Sequence, residues 1–334
     1  MIEPQGAVEA NMKVLVIGGA GYIGSHVARA LLDDGMEVTV FDNMSTGREE
    51  NLFSEAQFIQ GDILNTKDLE TCLQDGFHAL IHLTALKAVG ESMEKPEKYA
   101  ENNLSGTINI LNAALRQGVR FVVFSSSAAV YGDPEYIPVD ENHPTDPKNF
   151  YGFTKLEIEK ILVWYDRLRQ LRFAALRYFN AAGYDNLGRI TGIEKEPANL
   201  LPSIMESAVG LREKLIIFGD DFDTPDGTGV RDYIHVTDIA RAHVQALHYI
   251  SKEDNSLLVN LGSETGISVA EMLETARRIT GMPIPAEVGE RRPGDPAKLV
   301  SSAHRAKELL GWKAEFSGVE NLVETSWNIY KEKK

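Results

Sequence analysis

The stretch Met12–Gly24, MKVLVIGGAGYIG, leaves this chain few choices of fold. It opens on an unbroken apolar run, Val14–Ile17, too short for a helix and suited to a strand buried on both faces. Gly18, Gly21 and Gly24 follow at GxxGxxG spacing. Beyond them Ile23, Val27, Ala30 and Leu31 recur at helical intervals, and Gly35 supplies a stop. Strand, glycine turn and helix in that order bring bare backbone N–H groups to the positive end of a helix, where a pyrophosphate can sit. The next strand, Glu37–Phe41, ends at Asp42, 18 residues beyond Gly24. A carboxylate there can bond adenosine ribose hydroxyls, and it repels a 2′-phosphate, so it favours NAD over NADP.

Alternation continues along the chain. Strands are expected at 57–60, 78–83, 120–124 and 172–177, and helices at 66–74, 96–117 and 151–170, with loops over 84–92 and 133–148. Strands alternating with helices imply an α/β fold, a doubly wound parallel sheet with right-handed crossovers. Ligands then bind outside the carboxyl ends of the strands, where Gly18, Asp42, Asp62, Thr84, Ser127 and Asn180 fall. Past Asn180 the pattern loosens into short helices near 198–210, 237–250, 268–280, 302–310 and 318–331, with brief strands near 214–218 and 257–261. We read 12–180 as a nucleotide-binding Rossmann domain and 181–334 as mainly a smaller, mixed α/β substrate domain, some later segments returning to the first. Residues 1–11 read as a disordered extension or a cloning remnant.

Composition removes several classes of function. The formal net charge of −15 argues against a nucleic-acid or anionic-membrane partner. Cys72 is the one cysteine of the sequence, so no internal disulfide can form and a reducing, cytoplasmic compartment is expected. No apolar run is long enough to span a bilayer, and residues 1–11 lack a signal-peptide pattern. The eight histidines show no HExxH spacing, so no metal site is expected. The acidic loop Asp220–Asp226 fails as a calcium loop: counted from Asp221, Asp226 stands where glycine is required.

Tyr151 and Lys155 lie at i and i+4, on one helix face. A phenol of pKa near 10 is a poor base at neutral pH, and a nearby ammonium together with a positive nicotinamide ring favours the phenolate. Taken alone, a tyrosine and a lysine at this spacing are an ordinary surface pair. The upstream glycine turn and the Ser125-Ser126-Ser127 strand end give the spacing its meaning. Ser127 can share a substrate hydroxyl with Tyr151, whereas Ser125 and Ser126 read as structural, bonding backbone at the strand end.

Together these residues resemble the extended branch of the short-chain dehydrogenase/reductase superfamily. The strings GGAGYIGSH, LKAVGES, SSSAAVYG, LRYFNAAG, FGDDFDTPDGTGVRDYIHV and RRPGD are similar, within it, to nucleotide-sugar 4-epimerases. One departure is Phe150, where that family usually has proline; Phe there should change local rigidity and leave the chemistry intact.

The resemblance implies an enzyme that interconverts UDP-glucose and UDP-galactose through a 4-keto sugar. It implies an NAD site of Gly18, Gly21, Tyr22, Ile23, Gly24, Asp42, Asn43, Ser45, Asp62, Ile63, Leu83, Lys87, Asn103, Tyr151, Lys155 and Tyr178. Tyr151 would take the 4-OH proton, Ser127 would orient that hydroxyl and Lys155 would hold the nicotinamide ribose. Arg231 and Arg292 would clamp the diphosphate, since a guanidinium offers paired bonds to phosphate oxygens; a salt bridge from Arg231 to Asp232 or a neighbouring acid is the competing assignment. Asp295 would bond the uridine ribose, Phe218 would flank the uracil, and Asn180, Asn199 and Leu200 would touch the sugar nucleotide. Leu299 would set the room beside the sugar C2 substituent, its intermediate size leaving N-acetyl hexoses open. Helices near 96–117 and 151–170 would pair in a homodimer.

Other outcomes on this scaffold are UDP-glucuronate epimerisation or decarboxylation and a non-catalytic NAD-sensing or scaffold role. A 4,6-dehydratase needs an Asp-Glu pair after the strand-end serine, and this chain has Ala128-Ala129.

Overall fold

The computed structural model describes residues 12–194, 197–292 and 295–333; the proposed extension 1–11 lies outside the described residues. In chain order the first elements are β1 (Lys13–Ile17), α1 (Tyr22–Asp33), β2 (Glu37–Asp42), β3 (Gln57–Gln60), α2 (Thr66–Leu73) and β4 (Ala79–His82). Then come α3 (Val89–Glu94), α4 (Pro96–Tyr99), α5 (Gly106–Arg116), β5 (Phe121–Ser127), α6 (Phe150–Arg169) and β6 (Arg172–Tyr178). Beyond them run β7 (Asn180–Ala182), α7 (Leu200–Val209), β8 (Leu215–Phe218), β9 (Val230–His235), α8 (Val236–Glu253) and β10 (Leu257–Leu261). The chain closes with β11 (Gly266–Ser268), α9 (Val269–Thr280), β12 (Ala286–Gly289), β13 (Lys298–Leu299), α10 (His304–Leu310) and α11 (Val319–Tyr330).

A strand turns successive side chains to opposite faces, and β1 feeds two cores in this way. Val14 and Val16 enter a cluster with Val27 and Leu31 of α1 and Ile239 and Leu247 of α8. Leu15 and Ile17 enter another with Leu69 of α2, Ile110 of α5 and Ile158 of α6. Burying each of these side chains stabilises by about 1.5–3 kcal/mol, which is why the run must be apolar throughout. The result is a seven-stranded parallel sheet, ordered β10-β6-β5-β4-β1-β2-β3, with helices on both faces. Strand order reverses between β1 and β4, and that crevice is where such sheets hold ligands.

After β6 the chain builds a second layer. β9 lies between β11 and β13 and also pairs with β7, while β8 and β12 pair separately. A third core, with Leu201, Met205, Met272 and Leu322, joins α7, α9 and α11.

Three local expectations change. The helix read over 96–117 is interrupted by a π-helical segment, Ala100–Ser105, between α4 and α5. The loop read over 84–92 holds the start of α3. The strand near 257–261 is β10, and it pairs in parallel with β6 at the edge of the main sheet.

Candidate active site

Close backbone approach organises the crevice. Gly18 has φ +85°, and a Cβ there would stand 2.7 Å from Thr84 Oγ1. At Gly24 a Cβ would stand 2.0 Å from the Gly18 carbonyl oxygen, so only glycine lets α1 start against the turn. The α1 N-cap is Gly21, with no side-chain cap and no acid in the first turn, so the positive helix end is not neutralised locally.

Gly18, Gly21, Tyr22, Ile23, Gly24, Asp42, Asn43, Ser45, Ile63, Leu83, Lys87 and Tyr178 all line one cavity at this end of the sheet. Asp42 accepts from the backbone N–H groups of Ala20 at 3.0 Å and Met44 at 2.9 Å, one on each oxygen. Each oxygen keeps a lone pair free, although burial raises the carboxyl's pKa. A cradle without side chains, an uncapped helix end and a fixed carboxylate suit a dinucleotide's pyrophosphate and ribose.

Four expected members do not line this cavity: Tyr151 and Lys155, on α6, and Asp62 and Asn103, which stand behind its wall. Asp62 accepts from Asn43 Nδ2 at 3.0 Å and from the Leu64 N–H at 2.8 Å, so it braces Asn43. Asn103 is buried, and its amide exchanges hydrogen bonds with the backbone of Leu86 and donates to Thr154 Oγ1 at 3.1 Å; it clamps the loop after β4 to α6. Lys87 lies at the cavity but is ion-paired with Glu194. Glu194 belongs to a strap that sequence reading missed. Gly192 N–H donates to Asn51 Oδ1 at 3.1 Å, Arg48 Nε donates to the Ile193 carbonyl at 2.9 Å, and Gly192, Ile193 and Glu194 all face the cavity. Nothing in hydrophobic spacing marks such a segment.

A second cavity is lined by Asn180, Asn199, Leu200, Phe218, Arg231, Arg292 and Asp295, gathered from five separate stretches of chain. Pro197, Ala198, Tyr233 and Val269 also line it and were not expected. Arg231 Nη2 contacts Asp295 Oδ1 at 2.5 Å, which is the neighbouring-acid pairing, but both partners face the cavity. Asp232 takes no part: its carboxylate is buried and accepts from Ser263 and Ser301. Arg292 lies over the Phe218 ring, 3.9 Å from its centroid, so one face of that ring is already covered by a cation. Leu299 sits outside the cavity lining, in a small cluster with Ala128 and Phe179. Among the described residues no group of three His, Cys, Asp or Glu side chains can hold a metal ion.

The two cavities flank one strand end. Tyr178 lines the first and Asn180 the second, and Ser127 of β5 is in register with Tyr178 of β6. There α6 begins. Asn149 caps it, accepting from Gly152 N–H at 2.8 Å, a bond worth about 1 kcal/mol. Phe150 is the first helical residue, the place where proline is tolerated. Tyr151 is held by its N–H on Ser92 Oγ at 3.2 Å.

Burial raises the Tyr151 phenol, while a hydrogen bond with Ser127 works the other way. Lys155 is buried, its Nζ donates to the Ser125 carbonyl at 2.7 Å, and burial lowers its own pKa to about 7. Further positive charge must come from the occupant of the first cavity. Ser125 and Ser126 are structural as expected, through side-chain partners rather than backbone: Ser125 Oγ lies 3.2 Å from His243 Nε2, and Ser126 Oγ donates to Glu159 Oε1 at 2.5 Å.

Fold and site together define a dinucleotide-dependent enzyme with a second pocket for an anionic substrate. Residues 14–262 match the NAD dependent epimerase/dehydratase family, and the chain belongs to that family. It is similar over about 96% of its length to UDP-glucose 4-epimerases. Relatives of that name from Halalkalibacterium halodurans and Corynebacterium glutamicum are each 45% identical, the first across 96% of both chains and the second across 95% of both. The crystal structure of the Brucella ovis UDP-glucose 4-epimerase in complex with NAD is 40% identical, with a TM-score of 0.93 over 96% of this chain and 98% of that one. The Bifidobacterium longum UDP-glucose 4-epimerase in complex with NAD+ and UDP is 37% identical, with a TM-score of 0.90 over the same shares.

Proposed function

We propose that the protein interconverts UDP-glucose and UDP-galactose, with NAD as a resident cofactor. The observation that carries this reading is the meeting, at the end of β6, of a dinucleotide cradle lined by Tyr178 and an arginine-lined cavity lined by Asn180, with Ser127 in register with Tyr178 and α6 bringing Tyr151 beside Ser127. When bound, NAD supplies an oxidised pyridinium that draws hydride from sugar C4, leaving a 4-keto group, and gives it back.

This chain's own residues do the rest. The Gly18–Gly24 turn and the N-terminus of α1 receive the pyrophosphate, and Asp42 receives the adenosine ribose. Asn43, Ser45, Ile63 and Leu83 wall the adenosine half, with Asp62 behind Asn43. Tyr151 takes the proton of the sugar 4-OH and later returns it, Ser127 orients that hydroxyl, and Lys155 supports the phenolate. Tyr178 flanks the nicotinamide. Arg231 and Arg292 release Asp295 and Phe218 to engage the diphosphate, so Asp295 becomes free for the uridine ribose and Phe218 for the uracil. Asn180, Asn199 and Leu200 hold the remainder loosely. Inversion needs the keto sugar to turn over, so binding energy belongs on the nucleotide and not on the hexose. Ala128 and Ala129 offer no proton to a leaving hydroxyl, which disfavours dehydration.

The test is direct. Pure protein incubated with UDP-galactose and no added cofactor should yield UDP-glucose. Protein without nicotinamide that stays inactive when NAD is supplied would falsify the reading. The same assay with UDP-GlcNAc tests whether Leu299 leaves room for an N-acetyl group.

We also propose a homodimer through α5 and α6. Phe153, Val163, Trp164 and Leu168 of α6 and Ile108 of α5 are large apolar side chains left exposed. Light scattering at micromolar concentration should give twice the chain mass; a monomer mass removes the proposal. A cytoplasmic location agrees with Cys72, which is free and buried.

A further inference from the structure

Behind the tyrosine and lysine lies an ion pair that no step above uses. Glu159 stands one helical turn beyond Lys155 and two beyond Tyr151, on the same face of α6. Its carboxylate and the Arg177 guanidinium of β6 are both about 5% exposed, and they meet twice: Nε to Oε1 at 2.9 Å and Nη2 to Oε2 at 2.5 Å. Arg177 also donates to Tyr131 Oη at 3.0 Å, and Tyr131 donates to Asn260 Oδ1 of β10 at 2.6 Å. The three strand-end serines divide among three successive turns of α6. Ser127 stands beside Tyr151 and favours its ionisation, the Ser125 carbonyl takes Lys155, and the Ser126 hydroxyl donates to Glu159.

We propose that Glu159, opposed by Arg177, is a positioning residue for the base: it fixes the placement and the charge of Lys155 and through it the proton affinity of Tyr151. The proposal rests on the reading of Tyr151 as the base.

The surroundings leave few competing charges. Glu159 is the group whose field favours the charged form of Lys155, against the burial that disfavours it. His82 at the end of β4 and His243 of α8 are pushed by burial to about 3 and about 4, so both are neutral. The phenols of Tyr131 and Tyr178 are raised by burial and stay protonated. Burial likewise raises Tyr99, of α4, to about 12, and Glu91 of α3 is engaged by Lys95 and Lys98. Among these groups, Glu159 and Arg177 are the charges packed against the lysine's helix face.

The test reads the acid limb of kcat against pH for UDP-galactose, on protein shown to carry NAD. Glu159→Gln leaves Arg177 unopposed, disfavours the Lys155 ammonium, and should move the limb up by about one pH unit with KM changed less than about twofold. Arg177→Met leaves the carboxylate unopposed and should move it down. Glu159→Asp should keep the original limb, and the double variant Glu159→Gln/Arg177→Met should restore it. A packing role alone lowers melting temperature and kcat with the limb fixed in every variant, and that pattern overturns the proposal. If Glu159→Gln does not melt cooperatively, Arg177→Met and the double variant carry the comparison by their opposite expectations. Should Tyr151→Phe itself keep turnover, the failure lies with the base and not with Glu159.

Discussion

Tyr151→Phe is expected to lower kcat by about a thousandfold or more while the protein keeps its NAD and its melting temperature. Positioned general bases contribute about 10²–10⁴ in rate, and in the proposed reaction the same oxygen takes and returns the proton in each turnover. The change removes one hydroxyl from a ring whose backbone stays fixed by Ser92 and Asn149. The residue is half-buried, and Ser127 beside it keeps its hydrogen bond from the Ala129 N–H, so stability should change little. Lys155→Met is the informative companion. It deletes the Nζ bond to the Ser125 carbonyl and a buried cation on the same helix face as Tyr151, and should reduce both turnover and NAD content. Near-normal turnover in Tyr151→Phe, measured by product analysis with UDP-galactose, would remove the phenol from the chemistry; loss of NAD in that variant would make its inactivity uninformative.

Much of this site could be read from residues because its parts sit at strand ends, and parallel strands buried on both faces announce themselves as apolar runs. β1, β4, β5 and β6 read in this way, with Gly18, Ser127 and Tyr178 falling at or just past their ends. β9 escaped notice for the opposite reason. Its sequence VRDYIH carries charge in the interior, and Asp232 and His235 are fully buried there because Ser263, Ser301, Ser317 and Thr325 satisfy them. Periodicity cannot reveal partners that lie 31 to 90 residues away. β10 reads as a strand, but whether it joins the first sheet or the second depends on where α8 lays the chain. Resemblance places Asn103 and Lys87 at a cofactor wall, and the groups that engage them, the Leu86 backbone and the Thr154 and Glu194 side chains, are visible only in three dimensions.

Gly24→Ala is expected to damage the fold and the cofactor site together, whereas Gly21→Ala should damage only the site. At Gly24 the added methyl would stand 2.0 Å from the Gly18 oxygen, 2.8 Å from Gly19 Cα and 2.9 Å from the Gly18 carbonyl carbon. All three are backbone atoms of the turn, so no side chain can swing aside, and α1 must retreat from β1. Overpacking of this kind costs about 3 kcal/mol or more. At Gly21 the nearest atom to an added methyl is the Gly18 oxygen at 3.3 Å, and φ is −75°, open to any residue. A shift of a few tenths of an ångström in the turn would accommodate that methyl, but it adds bulk at the uncapped helix end where a pyrophosphate would approach. Purified Gly24→Ala should therefore melt at least about 5 °C lower and carry less than a tenth of the NAD. Gly21→Ala should melt within about 2 °C of the parent when both are stripped of NAD, yet retain less cofactor. Equal melting temperatures and equal NAD content in both variants would mean that close approach of backbone to backbone is not what the glycine spacing is for.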